Sequence, residues 1–466
     1  MNSNNLLEQY KACMILSGVG DSLGYRSGIW QFNSNGKDIH RELYERFDQI
    51  EDIRIELPQW RVSDDTVLHL AIAQVLAEYG DRDPSPTLYS RVAKKLKEIL
   101  NDLKNRHPSS STVTAINHLS ENNWTQTYSA VTNDCTAAVR SMSIGLRYSH
   151  PSEFEKLMHV SIEISRMTHT HVWGFMGGFT SALFTSYAIQ QKPLQTWSRC
   201  LLEILPTVQN YIKTQQRPDL AQNMRSWSSF EIFWKEFLLK QEINIKDIEQ
   251  RDEFYRQFSH AGWAGAIIYI VCYTTKTTSN MESSFEIFWK EFLLKQEINI
   301  KDIEQRDEFY RQFSHAGWAG ASGTDCIAIA YNSLLTCHGS WTELCKRAAL
   351  HGGHGDATGC VAGALFGAIY GFENVPKQNY KNVEYHDELE NVAKKLYNLR
   401  QISSQPKTKT ENINTQRGEC VHFTFIPADV LDNMPAFRQW RLSKNQKTKT
   451  ETNVLSKLVF QGLRMS

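Results

Sequence analysis

An acidic run at the start of a predicted helix is the first place where the chain could do chemistry. Ser63, Asp64 and Asp65 directly precede an apolar helical pattern that begins at Thr66. A hydroxyl and two adjacent carboxylates are oxygen ligands of the kind that Mg²⁺ takes in proteins. The same residues also suit a structural role, because Ser and Asp cap the first N–H groups of helices and complement the helix dipole. Both interpretations stay open on this run alone.

A glycine-rich loop late in the chain carries a second set of polar residues. His351, His354 and Asp356 are interspersed with glycines and precede another helical pattern that begins near Thr358. Glycine adopts backbone conformations closed to other residues, and a second acidic site would complete a cation centre with the first. Asp356 could instead cap the helix, and the His-x-x-His-x-Asp pattern does not distinguish the two roles.

Two further motifs are weaker. Gly20 and Asp21 lie in a glycine-bearing segment, 18–25, that we expect to form a loop after an amphipathic helix. Its spacing departs from the dinucleotide fingerprint, which also needs a preceding strand, so Rossmann-type binding is disfavoured. His169 and His171 stand two residues apart, a spacing that points side chains to different faces of a helix. Hydrogen-bonded structural roles are therefore favoured over a metal pair.

The segments around these motifs have the periodicity of helices. Apolar residues recur at helical spacing over 6–17, 66–79, 88–103, 137–146, 152–166, 180–190, 194–214, 325–337, 341–349 and 358–370. Small residues at close spacing in 358–371 predict helices whose backbones approach closely in the core. Strand patterns are hard to find, so the sequence predicts an all-α fold.

An internal repeat interrupts this pattern. Residues 228–266 recur without a difference as 283–321, and removing the offset of 55 residues in either place leaves the same sequence. Two identical units do not suggest a solenoid, whose repeats diverge and are more numerous. We therefore expect one copy to serve the fold, with the spacer 267–282 as a surface excursion. The polar, aperiodic stretch 401–466 predicts a largely disordered tail after one all-α domain over 1–400.

Composition narrows the possible classes of function. Lys plus Arg and Asp plus Glu each total 51, so no excess of positive charge exists to bind nucleic acid. Hydrophobic residues make up 41% of the chain, which is ample for a buried core. The 9 Cys residues form no CxxC pair, and no apolar run reaches the roughly 20 residues that span a bilayer. We expect a cytoplasmic monomer that binds neither nucleic acid nor membrane.

Taken in order, the motifs resemble the ADP-ribosylglycohydrolase family, most closely its ADP-ribosylarginine hydrolase branch. The resemblance runs from about residue 8 to 400 apart from one repeat copy, and it also includes 137–140, 144–147, 166–169 and 322–325. The family implies a compact orthogonal bundle of helices with a metal cleft. It also implies an enzyme that hydrolyses the N-glycosidic bond between ADP-ribose and arginine, so that its partners are ADP-ribosylated proteins and ADP-ribose.

The resemblance further implies roles for individual residues. Ser63, Asp64 and Asp65 match the first metal motif of the family. Asp356 matches the second aspartate of the late motif, and His354 stands at a further ligand position, in a centre that holds two Mg²⁺ ions in the family. Asp64 and Asp65 would also be the catalytic carboxylates that activate water. The positions matched to substrate contacts are Gly20, Asp21, Trp318 or its duplicate Trp263, Ser322, Gly323 and Asp325.

Several positions depart from the family pattern. His354 and Ala357 replace two oxygen ligands of the late motif, which weakens one metal site and points to a single ion here. Asn133 and Thr136 replace glycines in the turn that faces the diphosphate in the family, and Asp134 adds a negative charge there. These changes predict weaker binding of ADP-ribose.

The departures leave three functions open. The first is an active, Mg²⁺-dependent ADP-ribosylarginine hydrolase, since the run from Ser63 to Asp65 is intact. The second is a catalytically degenerate relative that binds ADP-ribose or a protein partner without turnover. The third is a site remodelled for Zn²⁺ or Mn²⁺ through His354, with or without His351.

Overall fold

Helices make up the regular structure of the domain. The computed structural model describes residues 3–31, 33–125, 132–243, 303–314 and 317–403, all within a unit that spans residues 1–405. Within these ranges no strand is formed, and an isolated bridge between Asp134 and Ser322 is the one β-type pairing. The predicted all-α class is confirmed. The spacer 267–282 and the tail from 404 onward lie outside the described residues.

The described ranges contain eighteen α-helices, joined in places by short 3-10 turns. In chain order the helices are α1 (Ser3–Tyr25), α2 (Gly36–Arg46), α3 (Asp64–Tyr79), α4 (Pro86–Glu98), α5 (Leu100–Leu103), α6 (Ser110–His118), α7 (Thr136–Val139), α8 (Met142–Arg147), α9 (Phe154–Arg166), α10 (Val172–Ile189), α11 (Trp197–Thr214), α12 (Leu220–Ile243), α13 (Ile303–Phe313), α14 (Gly323–Thr336), α15 (Trp341–Ala348), α16 (Gly355–Tyr370), α17 (Lys377–Tyr380) and α18 (His386–Ser403). None of these helices combines the length and apolar character needed to cross a membrane.

Two glycine-bearing helices, α1 and α16, cross in the core with their backbones in contact. A Cβ atom added at Gly20 would lie 2.0 Å from the carbonyl oxygen of Gly359, and one at Gly363 would lie 2.1 Å from that of Leu16. Only glycine permits this approach, so the close packing predicted from the small residues of 358–371 is confirmed. The loop predicted over 18–25 is wrong. Helix α1 continues to Tyr25 because its glycines serve helix packing rather than a turn.

Helix α10 is buried along nearly its whole length. Every residue except Trp173 is buried, so the helix is apolar or small on all sides rather than amphipathic. It begins at Val172, before the predicted start at 180, and the His171 side chain caps it by accepting a hydrogen bond from the N–H of Trp173. Sequence patterns miss this start because its early glycines are poor helix formers. Gly177 instead packs against the backbone of Gly323.

Other predicted helices are present with shifted or broken ends. The predicted helix 137–146 is divided into α7 and α8 at Arg140 and Ser141, and 88–103 is divided into α4 and α5. Helix α2 is missed altogether, because it is mostly polar and buries only four residues, which are Gly36, Ile39, His40 and Leu43.

The described residues contain parts of both copies of the repeat. Helix α12 ends in the first copy and buries Phe230 and Trp234 in the core. Helix α13 belongs to the second copy and buries Arg306, Asp307 and Tyr310. Because 303–321 repeats 248–266, the part of the chain that the structure describes holds no repeated residue twice.

Candidate active site

A cavity of about 450 Å³ gathers residues from distant parts of the chain. Acidic residues at the starts of α3 and α16 meet there with residues from the segments between helices. The lining residues are Gln31, Asp64, Asp65, His107, Pro108, Ser109, Ser110, Asn133, Asp134, Cys135, Thr136, Trp318, Ala321, Ser322, His354 and Asp356. The two acidic motifs singled out in the sequence therefore face one cavity.

Ser63 directly precedes α3, whose first turn brings two carboxylates to the cavity. Its hydroxyl accepts a hydrogen bond from the N–H of Asp65 at 3.1 Å, so the capping interpretation holds. Asp64 and Asp65 occupy the first turn, are only 3% and 4% exposed, and line the cavity. The cap thus fixes the backbone conformation of the first turn, which holds both carboxylates in place.

Asp21, on α1, holds this helix start from the protein interior. Its carboxylate accepts hydrogen bonds from the N–H of Ser63 at 3.1 Å and from the N–H and hydroxyl of Thr66 at 3.1 and 2.5 Å. Asp21 is fully buried, and neither it nor Gly20 is among the residues that line the cavity. In the structure both residues support the motif, Asp21 by hydrogen bonds and Gly20 by helix packing.

A buried ion pair fixes the residue that precedes the motif. Arg106 Nη1 donates to the carbonyl oxygen of Val62 at 2.8 Å, and Glu384 Oε2 accepts from the N–H of Val62 at 3.0 Å. The two side chains also pair with each other at 2.8 Å. Sequence reasoning missed this ion pair, which we call the clamp on Val62, because no local motif indicates a pair of residues 278 positions apart.

The carboxylates at the cavity repel one another electrostatically. Burial raises the pKa of Asp64 well above its ordinary value, and the negative charges of Asp356 and Asp21 add to this shift. Burial also raises the pKa of Asp65 well above its ordinary value, and the negative charge of Asp64 adds to this shift. Burial raises the pKa of Asp356 to about 6. A bound cation would reverse this repulsion.

The donor set fits a hard cation in its chemistry. Asp64, Asp65 and Asp356 supply carboxylate oxygens, and Asp356 Oδ1 is buried without a hydrogen-bond partner in the described part of the chain. Oxygen donors of this kind are those that Mg²⁺ takes. Within the same described ranges, no three His, Cys, Asp or Glu side chains already converge closely enough to hold a metal ion. Enclosing an ion would therefore require these side chains to turn toward a shared point.

The two histidines of the late motif differ in their surroundings. His354 lines the cavity, where its Nδ1 lies 3.9 Å from Asp356 Oδ1 and its ring packs edge-on against Trp318. Burial lowers the pKa of His354, so its imidazole is neutral near pH 7. His351 is fully buried, does not line the cavity, and engages both ring nitrogens in hydrogen bonds. The structure therefore gives no support to a metal pair that includes His351.

The start of α14 forms another part of the cavity wall. The N–H and the hydroxyl of Ser322 both donate to Asp325 Oδ1 at 2.7 Å, and the N–H of Asp325 donates back to Ser322 Oγ at 3.2 Å. Ser322 and Trp318 line the cavity, whereas Asp325 and Gly323 do not. Gly323 packs closely on α10, where a Cβ atom would lie 2.7 Å from the carbonyl oxygen of Trp173.

One part of the wall has no counterpart among the predicted motifs. His107 and Ser109 line the cavity just before α6, and His107 Nδ1 lies 3.2 Å from Gln31 Oε1. The His107 ring also packs edge-on against Tyr25, with ring centroids 5.7 Å apart. The signal that could have found this wall is the polar run 107–111, in which His and Pro are followed by three Ser residues.

The chain is similar to known proteins over most of its length. The family model for ADP-ribosylglycohydrolase matches residues 2–287 and 264–406, and each match contains one copy of the repeat. A Dictyostelium discoideum protein named "ADP-ribosylhydrolase ARH1" is 30% identical over 403 residues, which cover 84% of this chain and 94% of that protein. A solved structure, "ADP-ribosylglycohydrolase-related protein complex", aligns with a TM-score of 0.47 and 14% identity over 85% of this chain and 99% of that one. The resemblance drawn from the motifs is confirmed: this chain belongs to the ADP-ribosylglycohydrolase family.

Proposed function

We propose that this protein is a Mg²⁺-dependent hydrolase that removes ADP-ribose from modified arginine side chains of proteins. The observation that carries the proposal is the convergence of Asp64, Asp65 and Asp356 on one cavity from the starts of two helices. Family membership supports hydrolysis, since the similar Dictyostelium protein is named an ADP-ribosylhydrolase. The arginine acceptor rests on the resemblance of the motifs to that branch of the family.

Mg²⁺ is the cation that we propose for this site. Asp64, Asp65 and Asp356 would hold it, with His354 beside them. Ser63, which the resemblance adds as a ligand, is fully buried, caps α3 and does not line the cavity. When bound, the ion would orient the ribose hydroxyls and stabilise charge near the anomeric carbon. Because His354 is a nitrogen donor at a position where the family has an oxygen ligand, we propose one ion rather than two.

The side chains of the cavity would transfer the proton and orient the substrate. In the reaction, water oxygen bonds to the anomeric carbon, the bond to the arginine nitrogen breaks, and one water proton ends on that nitrogen. Asp64 or Asp65 would accept the proton from water, because both carboxylates line the cavity in which the substrate would bind. Trp318 and Ser322 would orient the substrate with an aromatic face and a hydroxyl.

A second function is favoured by a different observation. His354 and Ala357 stand where two oxygen ligands are expected, and among the described residues no three metal-ligating side chains lie close enough together to hold an ion. A protein with this defect would bind ADP-ribose in the same cavity without releasing it from arginine. It would then act as a recognition module.

Release of ADP-ribose from an ADP-ribosylarginine peptide, with and without Mg²⁺, tests the proposal. The wild type should release ADP-ribose only with Mg²⁺, and Asp64→Ala with Asp65→Ala should slow release at least about 100-fold. Asp81→Ala, an exposed carboxylate just after α3, is the matched control and should behave as the wild type. A folded wild type that ADP-ribose stabilises against heat but that releases none from the peptide would establish the recognition module instead.

The same assay addresses the remaining alternatives. Faster release with Zn²⁺ or Mn²⁺ than with Mg²⁺ would establish a remodelled metal site. A peptide ADP-ribosylated on serine serves as the acceptor control. Faster release from serine than from arginine would contradict the proposed substrate while leaving the hydrolase in place.

A further inference from the structure

A second cavity, of about 270 Å³, lies outside the candidate active site, and the two share no lining residue within the described ranges. Residues of α4, α9 and α11 line it, together with Trp124 from the segment after α6. On α9, Glu155, His159 and Glu163 are spaced four residues apart, so they lie on one face of that helix. Pockets for drug-sized ligands measure roughly 300–1,000 Å³, so this cavity suits a small chemical group rather than a large cofactor.

Four aromatic rings of the described chain line this cavity as two contacting pairs. The ring centroids of Tyr89 and Trp124 lie 4.4 Å apart, and those of His159 and Tyr211 lie 4.1 Å apart in a stacked arrangement. The faces of aromatic rings carry partial negative charge, which attracts cations. The Arg217 guanidinium already lies near such a ring, with its Cζ 5.5 Å from the centroid of Trp124. Burial lowers the pKa of His159, so its imidazole is neutral near pH 7 and adds no positive charge.

The charged groups at this cavity leave one carboxylate without a partner. Lys156 Nζ pairs with Asp83 Oδ1 at 2.5 Å. Glu163, whose side chain is only 4% exposed, pairs with Arg217. By contrast, no ion pair or hydrogen bond engages the exposed Glu155 carboxylate in the part of the chain that the structure describes. The cavity therefore presents an unbalanced negative charge beside neutral rings.

The hydrogen-bonding groups of the cavity narrow the kind of cation. The Tyr211 hydroxyl donates to Glu163 Oε1 at 3.0 Å, and the ion pair with Arg217 engages the other oxygen of that carboxylate. A primary ammonium or a guanidinium group against the ring faces would leave N–H donors without acceptors, and this loss of hydrogen bonds costs free energy. A quaternary ammonium group has no N–H donor, and its charge attracts the rings while its methyl groups pack against them.

We propose that this cavity binds a quaternary ammonium group, which the rings of Trp124 and Tyr211 contact and whose charge Glu155 balances. The chemistry recognised is the trimethylammonium head, which a free molecule such as choline and a trimethylated lysine side chain both carry. The inference concerns a binding site separate from the acidic cavity, so it does not depend on the proposed hydrolysis.

Titration of the full chain with choline, followed through the NMR signal of the choline methyl protons, tests the inference. The wild type should bind choline saturably. The uncharged analogue 3,3-dimethylbutan-1-ol has the same shape, and it should bind at least about tenfold more weakly because the rings and Glu155 recognise the charge.

Substitutions in the cavity separate the contribution of the rings from that of the carboxylate. Trp124→Ala should weaken choline binding about fivefold or more, and Trp124→Phe should weaken it less because a ring remains. Tyr44→Ala is the matched ring control, since Tyr44 is an exposed aromatic residue outside the lining. Glu155→Gln should weaken binding about two- to fivefold. Glu98→Gln, which removes an exposed carboxylate of α4 outside the lining, should bind as the wild type.

Four results would overturn the inference. The first two are a wild type that binds no choline and one that binds the uncharged analogue equally well. The third is a folded Trp124→Ala chain that binds choline as the wild type does. The fourth is loss of binding in Asp64→Ala with Asp65→Ala, which would place the cation in the acidic cavity instead. Should Trp124→Ala fail to fold, Trp124→Phe and Glu155→Gln carry the test, because both keep a side chain of similar character in place.

A short peptide with a trimethylated lysine, titrated in the same way, identifies the source of the group. Tighter binding of the peptide than of choline would point to a protein side chain, and tighter binding of choline to a free molecule; either order supports the inference. ADP-ribose release by the wild type without choline binding would contradict this inference alone. Choline binding without ADP-ribose release would contradict the proposed function alone.

Discussion

At the scale of single residues, the acidic motif serves the helix and the cavity together. The Ser63 hydroxyl caps α3, and Asp21 accepts three hydrogen bonds from the same turn, which leaves the carboxylates of Asp64 and Asp65 directed to the cavity. Capping and the proposed catalytic role are therefore compatible explanations for this run, because the capping hydrogen bond leaves both carboxylates at the cavity.

His69, one turn further along α3, allows the cost of burying an ionisable group to be measured. It is fully buried, its Nε2 lies 3.1 Å from Met14 Sδ, and its Nδ1 has no hydrogen-bond partner among the described residues. Burial lowers the pKa of His69 to about 3, so the folded chain keeps it neutral where the unfolded chain takes up a proton. This residue therefore destabilises the wild type progressively as the pH falls from about 6.5 toward 3.

His69→Leu should remove that dependence. We expect the variant to be at least as stable as the wild type at pH 7, because an apolar side chain replaces a buried polar atom without a partner. Its advantage in unfolding free energy should then grow by about 1.4 kcal/mol per pH unit below pH 6.5. Urea unfolding of both proteins at pH 7, 6 and 5 measures the difference. A difference that stays constant across this range would contradict burial as the cause.

At the scale of elements, the crossing of α1 and α16 places both acidic motifs at one cavity. Asp21 extends from α1, Asp356 lies in the first turn of α16, and the two helix backbones touch at Gly20 and Gly359. Widening this crossing would move the late motif away from the early one.

Gly20→Ala should disrupt the crossing. The added Cβ atom would lie 2.0 Å from the carbonyl oxygen of Gly359, so the helices must separate, and we expect a loss of about 1–3 kcal/mol or more in unfolding free energy. Gly18→Ala on the same helix is the matched control. Its Cβ atom would be 3.3 Å from the end of the Leu389 side chain, and we expect a change within about 1 kcal/mol. Equal effects in denaturant unfolding would argue against backbone contact as the determinant.

The elements also show what sequence patterns can predict. The Asp64 to Tyr79 helix follows directly from apolar periodicity and an acidic start, and the tight packing of α16 follows from its small residues. The helical course of 18–25 and the early start of α10 do not, because glycines that serve helix contact are indistinguishable in sequence from glycines that serve turns.

At the scale of the whole molecule, the repeat raises the question of whether the domain needs both copies. The described residues use α12 from the first copy and α13 from the second, and 59 residues, 244–302, connect them. Deleting 55 residues, as 228–282 or equally as 267–321, leaves four residues in that connection. Connections of this length are ordinary between consecutive helices.

The deleted chain should fold and be at least as stable as the full chain. A shorter connection costs less entropy to close, which corresponds to a gain of up to about 2 kcal/mol. Thermal unfolding of both chains compares them, and ADP-ribose release by the shorter chain shows whether its cavity is intact. A deleted chain that fails to fold, or that melts at a clearly lower temperature, would show that the domain requires both copies.

The sequence also limits what can be predicted of the cavity. Asp64, Asp65 and Asp356 are recognisable because each lies in a short local motif. The clamp of Arg106 and Glu384 on Val62 and the His107 wall depend instead on long-range contacts that no local pattern encodes. Local chemistry is thus predictable here, and the residues that position it are not.

Binding of Mg²⁺ is the most direct test of the view that the cavity carboxylates form a catalytic centre. In calorimetric titration of the folded, metal-free chain, we expect saturable binding of one ion by the wild type. Asp64→Asn with Asp65→Asn should abolish it, whereas Asp81→Asn, an exposed carboxylate outside the cavity, should leave it unchanged. A folded wild type that binds no Mg²⁺, or a double variant that binds it equally well, would contradict the account.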